Sequence, residues 1–119
     1  MKIYTDIEQS KRLAEILPSE SADICWTSFD EKWDAYLGAP NPNAIKKEIP
    51  CWSLVALLSL IKDKCGYFEL VYLKRTTDGR ANPLEDVYRL STDIYDIYKK
   101  EALDACYEMI LKLNELKML

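Results

Sequence analysis

The sequence contains no histidine, only three glycines, no CxxC pair and no long apolar run. Each absence removes a class of function. Zinc sites that combine imidazole with thiolate or carboxylate cannot form, and a cysteine nucleophile finds no imidazole base. Gly38, Gly66 and Gly79 are isolated, so a glycine-rich phosphate loop cannot be built. The longest uncharged stretch, Ile49 to Ile61, has 13 residues, short of the roughly 20 that a membrane helix requires. The segment MKIYTDIEQSKRLAEIL scatters acids and lysines and carries no apolar core with a small-residue cleavage site. No secretory signal is read there, and a cytoplasmic location is expected.

Cys25, Cys51, Cys65 and Cys106 lie no closer than 14 residues apart. They are expected to be reduced structural thiols, with no metal and no other cofactor. Cys51 stands beside Trp52 and Ser53, but without a base its thiol is read as packing, and Ser53 as a helix cap. Paired carboxylates such as Asp30-Glu31 and Glu85-Asp86 are read as solvated surface charge, so no catalytic residue is assigned and the chain is not expected to be an enzyme.

What is present fits one domain, residues 1-119, with a single core. The chain is 49% hydrophobic and 30% charged, enough apolar surface to offset the entropy of ordering. Sixteen Lys and Arg face twenty Asp and Glu, a net charge of -4. The only basic pairs are Lys11-Arg12, Lys46-Lys47, Lys74-Arg75 and Lys99-Lys100. Nonspecific nucleic-acid binding, which needs a basic patch that releases counterions, is not expected.

Thr5-Asp6-Ile7-Glu8 reads as a capping box opening an amphipathic helix over 6 to 17, stopped by Pro18. Ser21 to Thr27 alternates like a half-buried strand. Two readings stand for 28 to 37. Ser28-Phe29-Asp30-Glu31 is a second capping box, and Phe29, Trp33, Tyr36 and Leu37 have helical spacing up to Gly38; the rival is a strand near Lys32 to Leu37. Gly38 to Asn43, with two prolines, reads as an exposed loop. IPCWSLVALLSLI, positions 49 to 61, predicts a helix near 51 to 64, apolar on every side and buried at the centre of the fold, with Gly66 as its stop. YFELVYLKR (67 to 75) and DVYRLST (86 to 92), separated by Asp78-Gly79 and Asn82-Pro83, predict an antiparallel hairpin. Ile94 to Tyr98 fits either an early start of the last helix or further sheet, and Glu101 to Met118 predicts a long amphipathic helix.

The stretches TDIEQSKRLAEILPSESAD (5 to 23), IPCWSLVALLSLI (49 to 61) and LDACYEMILKLNEL (103 to 116) resemble a group of small uncharacterised proteins encoded in Bacteroides-type genomes and, often, in their prophages and mobile elements. The resemblance covers under half of the chain and carries no activity, cofactor or site residue. It describes a scaffold, which directs attention to the surface between those stretches.

The expected fold is α+β: a small antiparallel sheet, a buried central helix and a long C-terminal helix. Aromatics supply the candidate sites. Trp26, Phe29, Trp33 and Tyr36 lie within eleven residues among acids and form a first candidate interaction patch; Tyr88, Tyr95, Tyr98 and Tyr107 form a second. The expected function is noncatalytic protein binding by an accessory protein of phage or mobile-element type, the partner being another protein or a second copy. The alternatives are a small-molecule or catalytic domain with a pocket between sheet and helices and, more weakly, nucleic-acid binding through a local basic patch.

Overall fold

The computed structural model describes residues 1-29, 32-38, 48-74 and 86-119. The elements run α1 (Ile7–Ala14), a 3-10 turn (Ser19–Ser21), β1 (Ile24–Phe29), β2 (Lys32–Leu37), β3 (Glu48–Cys51), α2 (Leu54–Cys65), β4 (Glu69–Leu73), β5 (Val87–Ser91), β6 (Asp96–Lys99) and α3 (Ala102–Glu115). The strands form two antiparallel sheets, ordered β2-β1-β3 and β4-β5-β6. The architecture is α+β, as expected. The Pro-rich loop after Gly38 and the turn signals between β4 and β5 lie outside the described residues.

Helix α1 begins one residue later than its capping box predicts. The Gln9 amide donates to Asp6 Oδ1 at 2.8 Å, and the Asp6 amide donates to Gln9 Oε1 at 3.2 Å. Thr5 is unavailable because it is buried in another network. Its hydroxyl accepts from the Trp52 amide at 3.1 Å and lies 2.7 Å from Ser10 Oγ, while its own amide donates to the Trp52 carbonyl at 3.0 Å. Lys2 completes the attachment of the N-terminal segment, with Nζ 3.0 Å from Asp6 and 2.9 Å from Asp104 on α3.

Residues 32 to 37 are a strand, not a helix. Pairing with β1 from Ile24↔Leu37 to Phe29↔Lys32 satisfies the backbone across the hairpin. Gly38, with φ +108°, donates its amide to the Asp23 carbonyl and so extends the ladder instead of capping a helix. Strand β3 was not anticipated. Pro50 sits in it opposite Cys25, a position open to proline because β3 is at the edge of its sheet. The expected helix therefore starts at Leu54, after Ser53, whose side chain accepts from the Ala56 amide as anticipated. Its C-cap is Gly66 in the left-handed region, φ +76°, with its amide on the Lys62 carbonyl.

Ile94 to Tyr98 does not begin the last helix. The Thr92 hydroxyl accepts from the Ile94 and Tyr95 amides, both at 3.2 Å, and makes a turn that feeds β6 back along β5. The core centres on α3, which buries Ala102, Leu103, Ala105, Cys106, Met109, Ile110 and Leu113. Leu13, Trp52, Leu57, Ile61 and Leu90 close around it with no exposed surface.

Helix α2 reaches this core through Leu57 and Ile61, and the expectation of burial on every side holds for that stripe alone. Val55 is 70% exposed, and Leu58 and Leu60 are half-buried. Continuous apolarity over two turns of helix does not bury a helix when only one of its sides meets α3.

Candidate functional site

In a strand, successive side chains point to opposite faces, and directly opposed residues on paired strands share a face. On the first sheet this rule separates the aromatic candidates. Trp26 of β1 faces the same way as Trp33, Ala35 and Leu37 of β2, whereas Tyr36 lies on the other face with Cys25 and Thr27. Phe29 ends β1 at the position paired with Lys32. The structure therefore does not unite the four into one patch.

The two tryptophans differ further. Trp26 is tied to the N-terminal segment: its indole N–H donates to the Thr5 carbonyl at 3.0 Å and its ring meets Tyr4 edge-on at 5.5 Å. It also lines an open groove of about 450 Å³ with Met1, Ile3 and Tyr4. Trp33 lies further out on the same face, on a strand whose far edge has no strand partner among the described residues. Beyond it, Leu37 is 92% exposed although its cross-strand neighbour Ile24 is buried. Trp33, Ala35 and Leu37 thus form an apolar row along the outer edge of the sheet.

The second candidate set is dispersed. Tyr88 shares the inward face of Leu90 and touches Tyr72, ring centroids 5.2 Å apart. Tyr98 pairs with Arg89 on the opposite face. Tyr95 precedes β6 and lies under the Lys112 ammonium, 4.7 Å from the ring centroid, while Tyr107 packs against the core from α3.

No family model, curated protein or solved structure matches the chain.

The four thiols are free, and Cys25, Cys51 and Cys106 are buried. Burial pushes the Cys106 thiol up to about 12 and raises Cys25, Cys51 and Cys65 as well. Cys51 donates to the Thr5 carbonyl at 3.3 Å, so it serves the same buried network that displaced the helix cap. At neutral pH these are protonated thiols, not thiolate nucleophiles. Among the described residues no group of three or more Asp, Glu or Cys is placed to hold a metal ion, and no helix is long and apolar enough to cross a membrane.

A trough of about 400 Å³ lies between β6 and α3, where a pocket between sheet and helix was anticipated. Within it Lys112 lies over the Tyr95 ring and 3.6 Å from Glu115. Of the basic pairs, Lys11-Arg12 belongs to α1, Lys99-Lys100 to the end of β6, and Lys74 follows β4; the remainder lie outside the described residues.

Sequence reasoning named Trp33 but missed Leu37 as its companion. The signal was the alternation Trp33, Ala35, Leu37, legible only once the segment is taken as a strand.

Proposed function

We propose that this chain is a noncatalytic accessory protein that works by binding protein, and that β2 is its docking element. The observation that carries this reading is the outer edge of β2, which has no strand partner among the described residues and along which Trp33, Ala35 and Leu37 point to one face, Leu37 almost wholly in water. A free edge offers unpaired N–H and C=O groups to an incoming strand, and alternate side chains provide selectivity. Tryptophan and apolar neighbours are the residues that interfaces favour. The mobile-element setting rests on the resemblance of the three scaffold stretches. A reducing, cytoplasmic compartment is supported by four free thiols in so small a chain.

A photo-crosslinking amino acid at Leu37, compared in cells with one at Val55 of α2, which is also exposed, tests the reading. Adducts are expected from position 37 and not from 55. Equal yields at both sites, or a melting temperature lowered by more than about 5 °C in Leu37→Ser, would count against β2 as a docking element.

A further inference from the structure

The apolar row on β2 is self-complementary, and we infer that its occupant is a second copy of this chain, paired edge to edge about a two-fold axis at Ala35. This rests on the docking role of β2 and names the partner.

The hydrogen-bonding phase of the edge restricts the pairing. The Gly38 amide donates to the Asp23 carbonyl at 2.9 Å, so residues 23 and 38 form a bonded pair. Bonded and non-bonded pairs alternate in an antiparallel ladder, which makes Cys25↔Tyr36 and Thr27↔Asp34 bonded pairs too. Trp33, Ala35 and Leu37 fall in the intervening pairs. Their N–H and C=O groups therefore point away from β1, on the same residues whose side chains form the apolar row.

A two-fold axis runs two copies of β2 antiparallel and brings the same surface of each together. Only registers that match outward-pointing groups with outward-pointing groups can form, so the possible slips are in steps of two residues. Centred on Ala35, Trp33 lies opposite the partner's Leu37, the small Ala35 lies at the axis, and Leu37 lies opposite the partner's Trp33. On the other face Asp34 lies opposite the partner's Tyr36, so no like charges meet. One slip sets Asp34 against the partner's Asp34, a like-charge pair that opposes association. The slip in the other direction sets Tyr36 against the partner's Tyr36 and carries Trp33 beyond the described end of the strand. Only the register centred on Ala35 sets Trp33 against Leu37 on both sides of the axis and keeps the two Asp34 side chains apart.

Six strand residues span about 20 Å. A contact confined to an edge of that length belongs with the smallest specific interfaces, those below about 1,200 Å² in total. The dimer is accordingly expected to dissociate on dilution, in the micromolar range.

Sedimentation velocity of the 13.8 kDa chain from about 1 to 500 μM is expected to show a mass rising toward twice that value, with Leu37→Asp weakening the dimer more than tenfold. In a Cys65→Ser background, Ala35→Cys is expected to form a covalent dimer on oxidation, and Val55→Cys is not. A chain that stays monomeric at the highest concentration, a dimer indifferent to Leu37→Asp, or equal crosslinking at 35 and 55 overturns the inference. If position 37 still captures a different protein in cells, the docking reading survives that failure. If Leu37→Asp and Trp33→Ser both unfold the monomer, as judged by circular dichroism, the two fall together.

Discussion

The indole of Trp26 donates its N–H to the Thr5 carbonyl at 3.0 Å. This bond makes Trp26 a structural residue, although its side chain points to the same face as Trp33. The Thr5 carbonyl also receives Cys51 Sγ at 3.3 Å, so one buried residue joins the N-terminal segment to β1 and β3. The sheet is thereby held to the body of the protein from one side, while β2 projects beyond the attachment.

Thr5 is fully buried and its hydroxyl serves both the Trp52 amide and Ser10. Thr5→Val keeps the volume but removes the acceptor of the buried Trp52 amide. An unsatisfied buried donor costs about 1 to 3 kcal/mol, so urea unfolding should show a loss of that order for Thr5→Val and a smaller one for Thr5→Ser. Trp33→Ser, by comparison, should change the stability of the monomer little.

The two sides of α2 should respond oppositely. Leu57→Ala empties a fully buried site packed in the core and should cost about 2 to 5 kcal/mol. Val55→Lys, on the open side of the same helix, should fall within about 0.5 kcal/mol of the parent. Denaturant midpoints of the two variants check the contrast. A large loss at Val55 would contradict the exposed side of the helix.

Gly66 ends α2 with φ +76°, and no atom lies within 4 Å of where a side chain would begin. The cost of Gly66→Ala is therefore conformational and not a clash. It should be about 1 kcal/mol, seen as a lower melting temperature, and Gly66→Asn should recover part of it.

Cys106 links stability to alkaline pH. Burial raises its thiol to about 12, against about 8.5 in an unfolded chain. Below the unfolded value both states hold the proton and the stability is fully present. As pH rises through that window the unfolded state loses its proton first, and stability falls toward the folded value by up to about 1.4 kcal/mol per pH unit. Urea midpoints at pH 7.5 and 9.5 should fall further apart in the parent than in Cys106→Ala. Equal differences would show that Cys106 does not set this slope.

Local chemistry in the sequence was enough to place the three helices, though not every one of their ends. The stripe from Leu103 to Leu113, Ser53 as a cap and Gly66 as a stop act over one or two turns and appear in the structure, whereas α1 ends at Ala14, before the stop expected at Pro18 is reached. The hairpin of β4 and β5 was legible for the same reason, since alternating branched and aromatic residues favour extended chain. Tertiary structure alone decided between helix and strand for 32 to 37, because Trp33 and Leu37 lie on one side of either element over so short a span. Backbone pairing with β1, itself braced by β3, settled it. Nor could the sequence distribute the burial. Trp26 and Trp33 are the same residue type on the same sheet face, and Thr5 reaches only one of them; α2 is apolar throughout, and α3 covers only one side. Periodicity records which residues can be buried, whereas contacts between distant segments decide which of them are.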